Sequence, residues 1–193
     1  MILFFGPTGS GKSMQAQILV ARHGWSWLSM GQLLRDSQDP ELMRIMKTGE
    51  LVPDEITNEI LFAAIDKIQE EDSEKQIIVD GYPRELSQAR DLVAHNTEKL
   101  GKIGINMVLA LEVDRENIIK RLTIRKRAED DEQSISRRLD IYQENTEQIF
   151  EYLQSQGVNI VRINGNGKVG EIHDEIESEL LKLGLVESAI SEK

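Results

Sequence analysis

Apolar positions along this chain follow two periods, and the two alternate. Ile2 to Phe5 is an unbroken apolar run, and Gln76 to Asp80 is apolar through its middle. Such runs suit strands buried on both faces. Trp25 to Leu28, Ile105 to Val113 and Val158 to Ile163 read as further strands. Between them the spacing turns helical. Met14 to Arg22 is made of good helix formers, Ser29 to Arg35 reads as a turn entering a helix, and Pro40 to Met46 predicts a short helix stopped by Thr48-Gly49. Leu51 to Asp54 is extended into a turn. Asp54 can cap the next helix, where Ile56, Ile60, Ala63, Ala64 and Ile68 recur to about Gln69.

A charged turn, Glu70 to Lys75, leads to the strand at Gln76. Leu86 to Leu100 predicts a helix, and Asp114 can cap another that runs to about Arg125. Beyond a charged segment, Ile135, Leu139, Tyr142, Ile149 and Leu153 form one stripe of a long helix that Gly157 ends. Asn164 to Gly167 is a tight loop. Ile172, Ile176 and Leu180 mark a last helix, and the tail from about Gly184 is expected to fray. Strands alternating with helices predict one domain over residues 1–193, an α/β fold with a five-stranded parallel sheet in three α/β/α layers. In open sheets of this kind ligands bind beyond the carboxyl ends of the strands. Gly9 to Ser13, Met30 to Arg35, Asp80 to Arg84 and Gly165 to Gly167 fall there.

Composition narrows the function. A hydrophobic content of 39% over 193 residues is enough for one core. The net charge of −11 speaks against a nucleic-acid surface, so any anion site must be a local basic pocket. The chain has no cysteine, which excludes disulfides, thiolate catalysis and a cysteine-ligated zinc site, and fits a reducing cytoplasm. No apolar stretch approaches the ~18 residues of a membrane span. The first apolar run ends at Gly6 with no basic segment before it, unlike a signal peptide. A cytoplasmic location is the expectation. His23, His95 and His173 share no metal-ligand spacing.

The chemistry starts where the first strand breaks. Gly6-Pro-Thr-Gly-Ser-Gly-Lys-Ser13 matches G-x-x-x-x-G-K-[ST], a phosphate-binding loop when a strand precedes it and a helix follows. Its glycines let backbone N–H groups turn inward onto phosphate oxygens, and the next helix adds its N-terminal partial charge. Lys12 would reach the terminal phosphates, and the Ser13 hydroxyl would sit near magnesium. Arg35 and Arg84 lie just past strand ends. Arg121 and Arg125 are one helical turn apart, Arg127 lies in the charged break, and Arg138 is early in the long helix. An acidic chain that sends several arginines to one rim is building a polyphosphate pocket, because guanidinium binds phosphate bidentately and stays charged. Asp80, at a strand end beside the loop, either orients magnesium-bound water or caps a turn. Glu129 and Asp130 either anchor the arginine segment or form a solvated charge run.

Taken in order, these markers resemble those of adenylate kinases, within the nucleoside monophosphate kinases, over nearly the whole chain. They are Gly6 to Gln15, Leu28-Ser-Met-Gly-Gln-Leu-Leu-Arg35, Gly49-Glu-Leu-Val-Pro-Asp54, Val79-Asp-Gly-Tyr-Pro-Arg84 with Gln88, and Arg127-Ala-Glu-Asp130 leading to Arg138. The resemblance implies transfer of the terminal phosphoryl group of ATP to AMP, giving two ADP, with magnesium and without zinc. It puts Gly9, Ser10, Gly11, Lys12, Ser13 and Met14 at the donor phosphates, with Lys12 following the transferred group. Arg121 and Arg125 would act at the donor site, and the Gly167 backbone near its adenine. Arg35 and Arg84 would hold the acceptor phosphate. Met30, the backbone of Glu50, Leu51, Val52 and Gly81, the adjoining Tyr82 and Pro83, and Gln88 would surround the acceptor base. Arg127 and Arg138 would close on the phosphates between the two sites, and Ser13 and Asp80 would meet magnesium largely through water. The implied fold is a phosphate-loop nucleoside triphosphatase sheet with a mobile helical acceptor arm, here about residues 29–58, and a lid, here reduced to about residues 125–131. The implied partners are ATP and AMP, with no nucleic acid or membrane, and a monomer is expected.

The chain departs from the family pattern at three places. Only Lys126 separates Arg125 from Arg127, so a lid domain has no room. Met30 stands where adenylate kinases usually place threonine, which keeps a UMP/CMP-type kinase open. Gln88 pulls back toward AMP, because its amide can pair with an adenine edge. Ser13-Met14 replaces the usual Gly-Thr, and Ser13 restores a hydroxyl for magnesium. The short lid also motivates a regulatory protein that binds nucleotide without catalysis, against which the complete set of Lys12, Asp80 and the arginines stands.

Overall fold

The computed structural model describes residues 1–125 and 131–187. In chain order the elements are β1 (Ile2–Phe5), α1 (Lys12–His23), β2 (Ser26–Ser29), α2 (Met30–Asp36), α3 (Pro40–Thr48), α4 (Asp54–Glu71) and β3 (Ile77–Asp80). There follow α5 (Leu86–Leu100), β4 (Met107–Glu112), α6 (Arg115–Arg125), α7 (Glu132–Ser155), β5 (Asn159–Asn164) and α8 (Val169–Lys182). The strands form one parallel five-stranded sheet in the order β2-β3-β1-β4-β5. β1 therefore lies at its centre, and the turn that leaves it opens on the middle of the sheet's carboxyl edge.

The period of two sorts each apolar strand between the layers. Leu3, Phe5, Val79, Val108 and Ala110 face one core with Leu61 and Ile65 of α4, Leu92 of α5, and Phe150 and Leu153 of α7. Ile2, Phe4, Ile78, Met107, Leu109 and Leu111 face the other, with Ala16 and Leu19 of α1 and Ile172, Ile176 and Leu180 of α8. The stripe on the long helix divides. Ile149 and Leu153 join the first core, while Leu139 and Ile135 pack with Ile118 and Leu122 of α6.

Several boundaries differ from the sequence reading. α1 begins at Lys12 rather than Met14, because Gly11 takes a left-handed backbone (φ 103°) and acts as N-cap. Lys12 and Ser13 are thus helical residues at a helix N-terminus. β2, β4 and β5 are displaced by a residue or two, as strand ends commonly are. Asp54 does not cap α4. Pro53 holds that position, and Asp54 is the first helical residue, its carboxylate turned to α5. Of the tail expected to fray, the described part, 184–187, is held: the Leu185 N–H donates to Leu180 O at 3.0 Å, and Leu185 and Val186 pack against the second core; residues 188–193 lie outside the described residues.

α1 and α8 are joined at both ends. Gln15 Nε2 donates to Val169 O at 2.9 Å, near the phosphate loop. At the far end His23 Nε2 lies 2.7 Å from Glu177 Oε1, and His173 Nε2 lies 3.3 Å from the same oxygen and 3.0 Å from Arg22 Nη1. Burial lowers the pKa of His173, Glu177 and Asp174 oppose this, and Arg22 and His23 add to it. A depressed imidazole pKa favours the neutral ring in the fold. Its stabilisation is complete above the unfolded value of about 6.5 and is lost as pH falls below it. The melting temperature should therefore fall between pH 7.5 and pH 5.5, and His173→Gln should flatten that slope. An unchanged slope in the variant would assign the pH dependence to other groups.

Candidate functional site

One cleft of about 400 Å³ opens at the carboxyl edge of the sheet, between the phosphate loop, the α2–α3 segment and α7. Its floor is the turn after β1. Gly9 is required there: its φ is +79°, and a Cβ would come within 2.9 Å of Leu122 Cγ on α6. The loop is thereby pressed onto a helix, with the α1 N-terminus directed at the cleft.

Lys12 Nζ donates to Gly6 O at 2.6 Å, Pro7 O at 3.1 Å and Ser10 Oγ at 3.4 Å, and lies 3.9 Å from Asp80 Oδ1. Asp80 ends β3 and is buried. Parallel pairing sets it beside Phe4 on one side and Ser29 on the other. Its second oxygen accepts from Ser13 Oγ at 2.9 Å. The described partners of Asp80 are therefore Ser13 and Lys12 of the loop, and Glu85, not Asp80, occupies the α5 N-cap.

The arginines converge as well. Arg35, Arg84, Arg121 and Arg138 all line this cleft with Lys12. Arg84 Nε donates to Gly81 O at 2.9 Å. Its guanidinium is reachable from the cleft yet crowded by protein, which lowers its pKa. Asp80 opposes that shift and the Arg138 charge adds to it. Arg138 Nη1 donates to Thr8 Oγ1 at 3.3 Å and Nε to Ser134 O at 3.2 Å. Arg121 spans the loop floor, with Nη1 on Ser10 O and Nη2 on Gly165 O, both at 2.8 Å. It ties the phosphate loop to the turn after β5.

Met14, Met30, Glu50, Leu51, Val52, Gly81, Tyr82, Pro83 and Gln88 also line the cleft. Met30 is buried as the first residue of α2, whereas Met14 is 52% exposed. Ser10 is buried under the loop, and Gly167 lies exposed on the β5–α8 turn; neither lines the cleft. Arg125 ends α6. Arg127, Glu129 and Asp130 lie outside the described residues. Gln88 is 2% exposed, and both ends of its amide are held: Oε1 accepts from the Arg84 N–H and Nε2 donates to Asp54 Oδ1, each at 2.7 Å.

Some contributors carried no motif signal. Ile141, Tyr142, Thr146 and Ile149 give the cleft a wall from α7, and burial pushes the Tyr142 hydroxyl up to about 12. Only the stripe on the long helix hinted at this. The first turns of α7 also grip the end of α3. Ser134 Oγ donates to Lys47 O at 2.5 Å, and Arg137 Nη1 donates to Thr48 O at 3.1 Å and Glu50 Oε1 at 2.9 Å. Gly49 permits this approach, since a Cβ there would sit 2.8 Å from Ser134 O at a φ of +75°. Among the described residues no cluster of three metal-binding side chains exists, and no helix is long and apolar enough to cross a membrane.

Comparison with known proteins agrees with this geometry. The family model described as adenylate kinase matches residues 4–158. The adenylate kinase of Prochlorococcus marinus (strain MIT 9211) is 38% identical over 187 residues, covering 93% of this chain and 96% of the relative. That of Thermus thermophilus is 34% identical over 191 residues, with 93% and 96% covered. The adenylate kinase of Natronomonas pharaonis is 32% identical over 212 residues, again covering 93% and 96%.

Proposed function

The chain belongs to the adenylate kinase family, and on that premise we propose how its own residues carry the transfer of a phosphoryl group from ATP to AMP. The observation that carries the assignment is the convergence of Lys12, Arg35, Arg84, Arg121 and Arg138 on one cleft of a chain with net charge −11. Phosphoryl transfer asks for little covalent chemistry from a protein. It asks for in-line positioning, neutralisation of the equatorial oxygens and exclusion of water.

The loop N–H groups and the α1 N-terminus hold the donor phosphates, and Lys12 leaves its loop carbonyls to follow the transferred group. Arg35 and Arg84 hold the acceptor phosphate opposite. Arg138, on α7, acts on the group between them, and Arg127, outside the described residues, is assigned the same role by the family resemblance. Arg121 acts chiefly by holding the floor of the loop, and Arg125, the last residue of α6, serves the donor site. The arm over residues 29–58 brings Met30 and the backbone of Glu50 to Val52 over the acceptor base.

Magnesium accompanies ATP in this family, and the donor set suits it. The Ser13 hydroxyl and the Asp80 carboxylate are hard oxygen ligands, held 2.9 Å apart, and they leave most positions to water and phosphate. When bound, the ion neutralises phosphate charge.

The direct test is formation of ADP from ATP with AMP, UMP, CMP or GMP as acceptor. AMP should give the highest kcat/KM by a wide margin. A preference for UMP would sink the acceptor reading. A second test concerns the α7 grip on the arm. An exposed ion pair supplies up to about 1 kcal/mol, or about fivefold in affinity. Arg137→Ala should raise the KM for AMP by about that factor and leave the KM for ATP unchanged. An equal rise for both substrates would mean general loosening.

A further inference from the structure

Gln88 lies between two groups of fixed hydrogen-bond sense. The Arg84 N–H can only donate, and it meets Oε1 at 2.7 Å. The Asp54 carboxylate accepts, and it meets Nε2 at 2.7 Å. Asp54 can do so because it opens α4 rather than capping it; its other oxygen is occupied by Ser87 Oγ at 2.6 Å. Glu85 also stands close to this carboxylate, and its own pKa is raised by burial and then by Asp54.

An amide in such a place has one orientation. Turning it over would bring Oε1 against the Asp54 oxygen and Nε2 against the Arg84 N–H, two opposed contacts in a residue only 2% exposed. Buried mismatches of that kind are expensive. The remaining capacity of the amide is also defined. The second Nε2 hydrogen has Thr57 Oγ1 at 3.4 Å, and the Thr57 hydroxyl itself donates to Asp54 O at 3.0 Å, so it can accept. An amide oxygen has two lone pairs, and one remains on Oε1. Gln88 lines the cleft.

We infer that Asp54 is a specificity-determining positioning residue: together with the Arg84 N–H it locks the Gln88 amide so that the acceptor site meets a purine with a hydrogen-bond acceptor. A 6-amino purine brings a donor to that lone pair. A 6-oxo purine brings a lone pair at that position, with its donor, the N1–H, moved to the neighbouring ring atom. A purine with only hydrogen at that carbon leaves the oxygen unpaired without opposing it. A freely turning amide would serve 6-amino and 6-oxo bases equally, because either orientation offers two complementary contacts. The inference rests on Gln88 facing the acceptor base in the proposed function.

The wild-type enzyme tests this with ATP and three acceptors: AMP, purine riboside 5′-monophosphate and inosine 5′-monophosphate. A locked acceptor gives AMP the highest kcat/KM and places the inosine nucleotide at least about tenfold below the unsubstituted purine nucleotide. An inosine nucleotide equal to or better than the unsubstituted one overturns the lock, even if AMP remains the best substrate. Failure with AMP itself overturns the proposed function instead.

Asp54→Asn supplies the second arm, because an amide at position 54 can donate as well as accept. Its AMP-to-inosine nucleotide ratio should fall by about tenfold, with thermal unfolding confirming a folded sample. Ser87→Ala removes the Asp54 partner that lies outside the lock and should keep the wild-type ratio. An equal fall there, or an unchanged ratio in Asp54→Asn, overturns the inference. Should Asp54→Asn fail to fold, the wild-type series decides alone.

Discussion

Replacing Arg84 with alanine should lower turnover with ATP and AMP by about three orders of magnitude, the scale on which a single arginine supports phosphoryl transfer. Stability should barely change. The guanidinium is accessible from the cleft, and the contact it gives up is a bond to the Gly81 carbonyl at 2.9 Å in its own turn. It also stands near Arg138, whose charge helps to lower its pKa after the crowding that is the larger cause. Its removal gives up the attraction to Asp80 and relieves the repulsion from Arg138, and these two changes oppose one another. The loss should appear in kcat as well as in the KM for AMP, because the acceptor phosphate must be held during transfer as well as on arrival. Steady-state kinetics in both substrates and a thermal melt measure this. Near-normal kcat with a folded protein would remove Arg84 from the acceptor site.

Much of this was legible in the sequence because it is local. The unbroken run Ile2 to Phe5 requires burial on both sides, and β1 is the central strand. The loop pattern places Lys12 and Ser13 beside one another, and the same pattern hides that they are already helical, since Gly11 looks like loop until its left-handed cap is seen. Arg35 and Arg84 were found by standing just past strand ends. What stayed hidden depends on pairing distant segments. Asp54 resembles an N-cap from its neighbours alone; its bonds to Ser87 and Gln88 exist because α4 and α5 pack side by side. Ser134 and Arg137 carry no motif, and their role at Lys47 and Thr48 follows from how α7 crosses the end of α3. Leu185 and Val186 carry no signal, because two apolar residues in a polar tail have no period to read.

Lys12→Met should be the most damaging single change to catalysis, lowering kcat by about three orders of magnitude or more. Methionine keeps much of the side chain's length and apolar stem and removes the charge with its N–H donors. The ammonium is drawn toward the Gly6 and Pro7 carbonyls and the Ser10 hydroxyl, with Asp80 Oδ1 at 3.9 Å. A charged phosphate oxygen outcompetes a backbone carbonyl for this ammonium. Charge develops on the oxygens of the group in flight, so the interaction should strengthen as transfer proceeds. ATP affinity should therefore fall far less than kcat, because the loop N–H groups and the α1 N-terminus remain. The melting temperature should drop a little, since the loop loses its internal donor. ATP titration beside single-turnover transfer separates the two effects. If the whole loss lay in ATP binding, with transfer at saturation unchanged, Lys12 would be an anchor for the donor and would not follow the phosphoryl group.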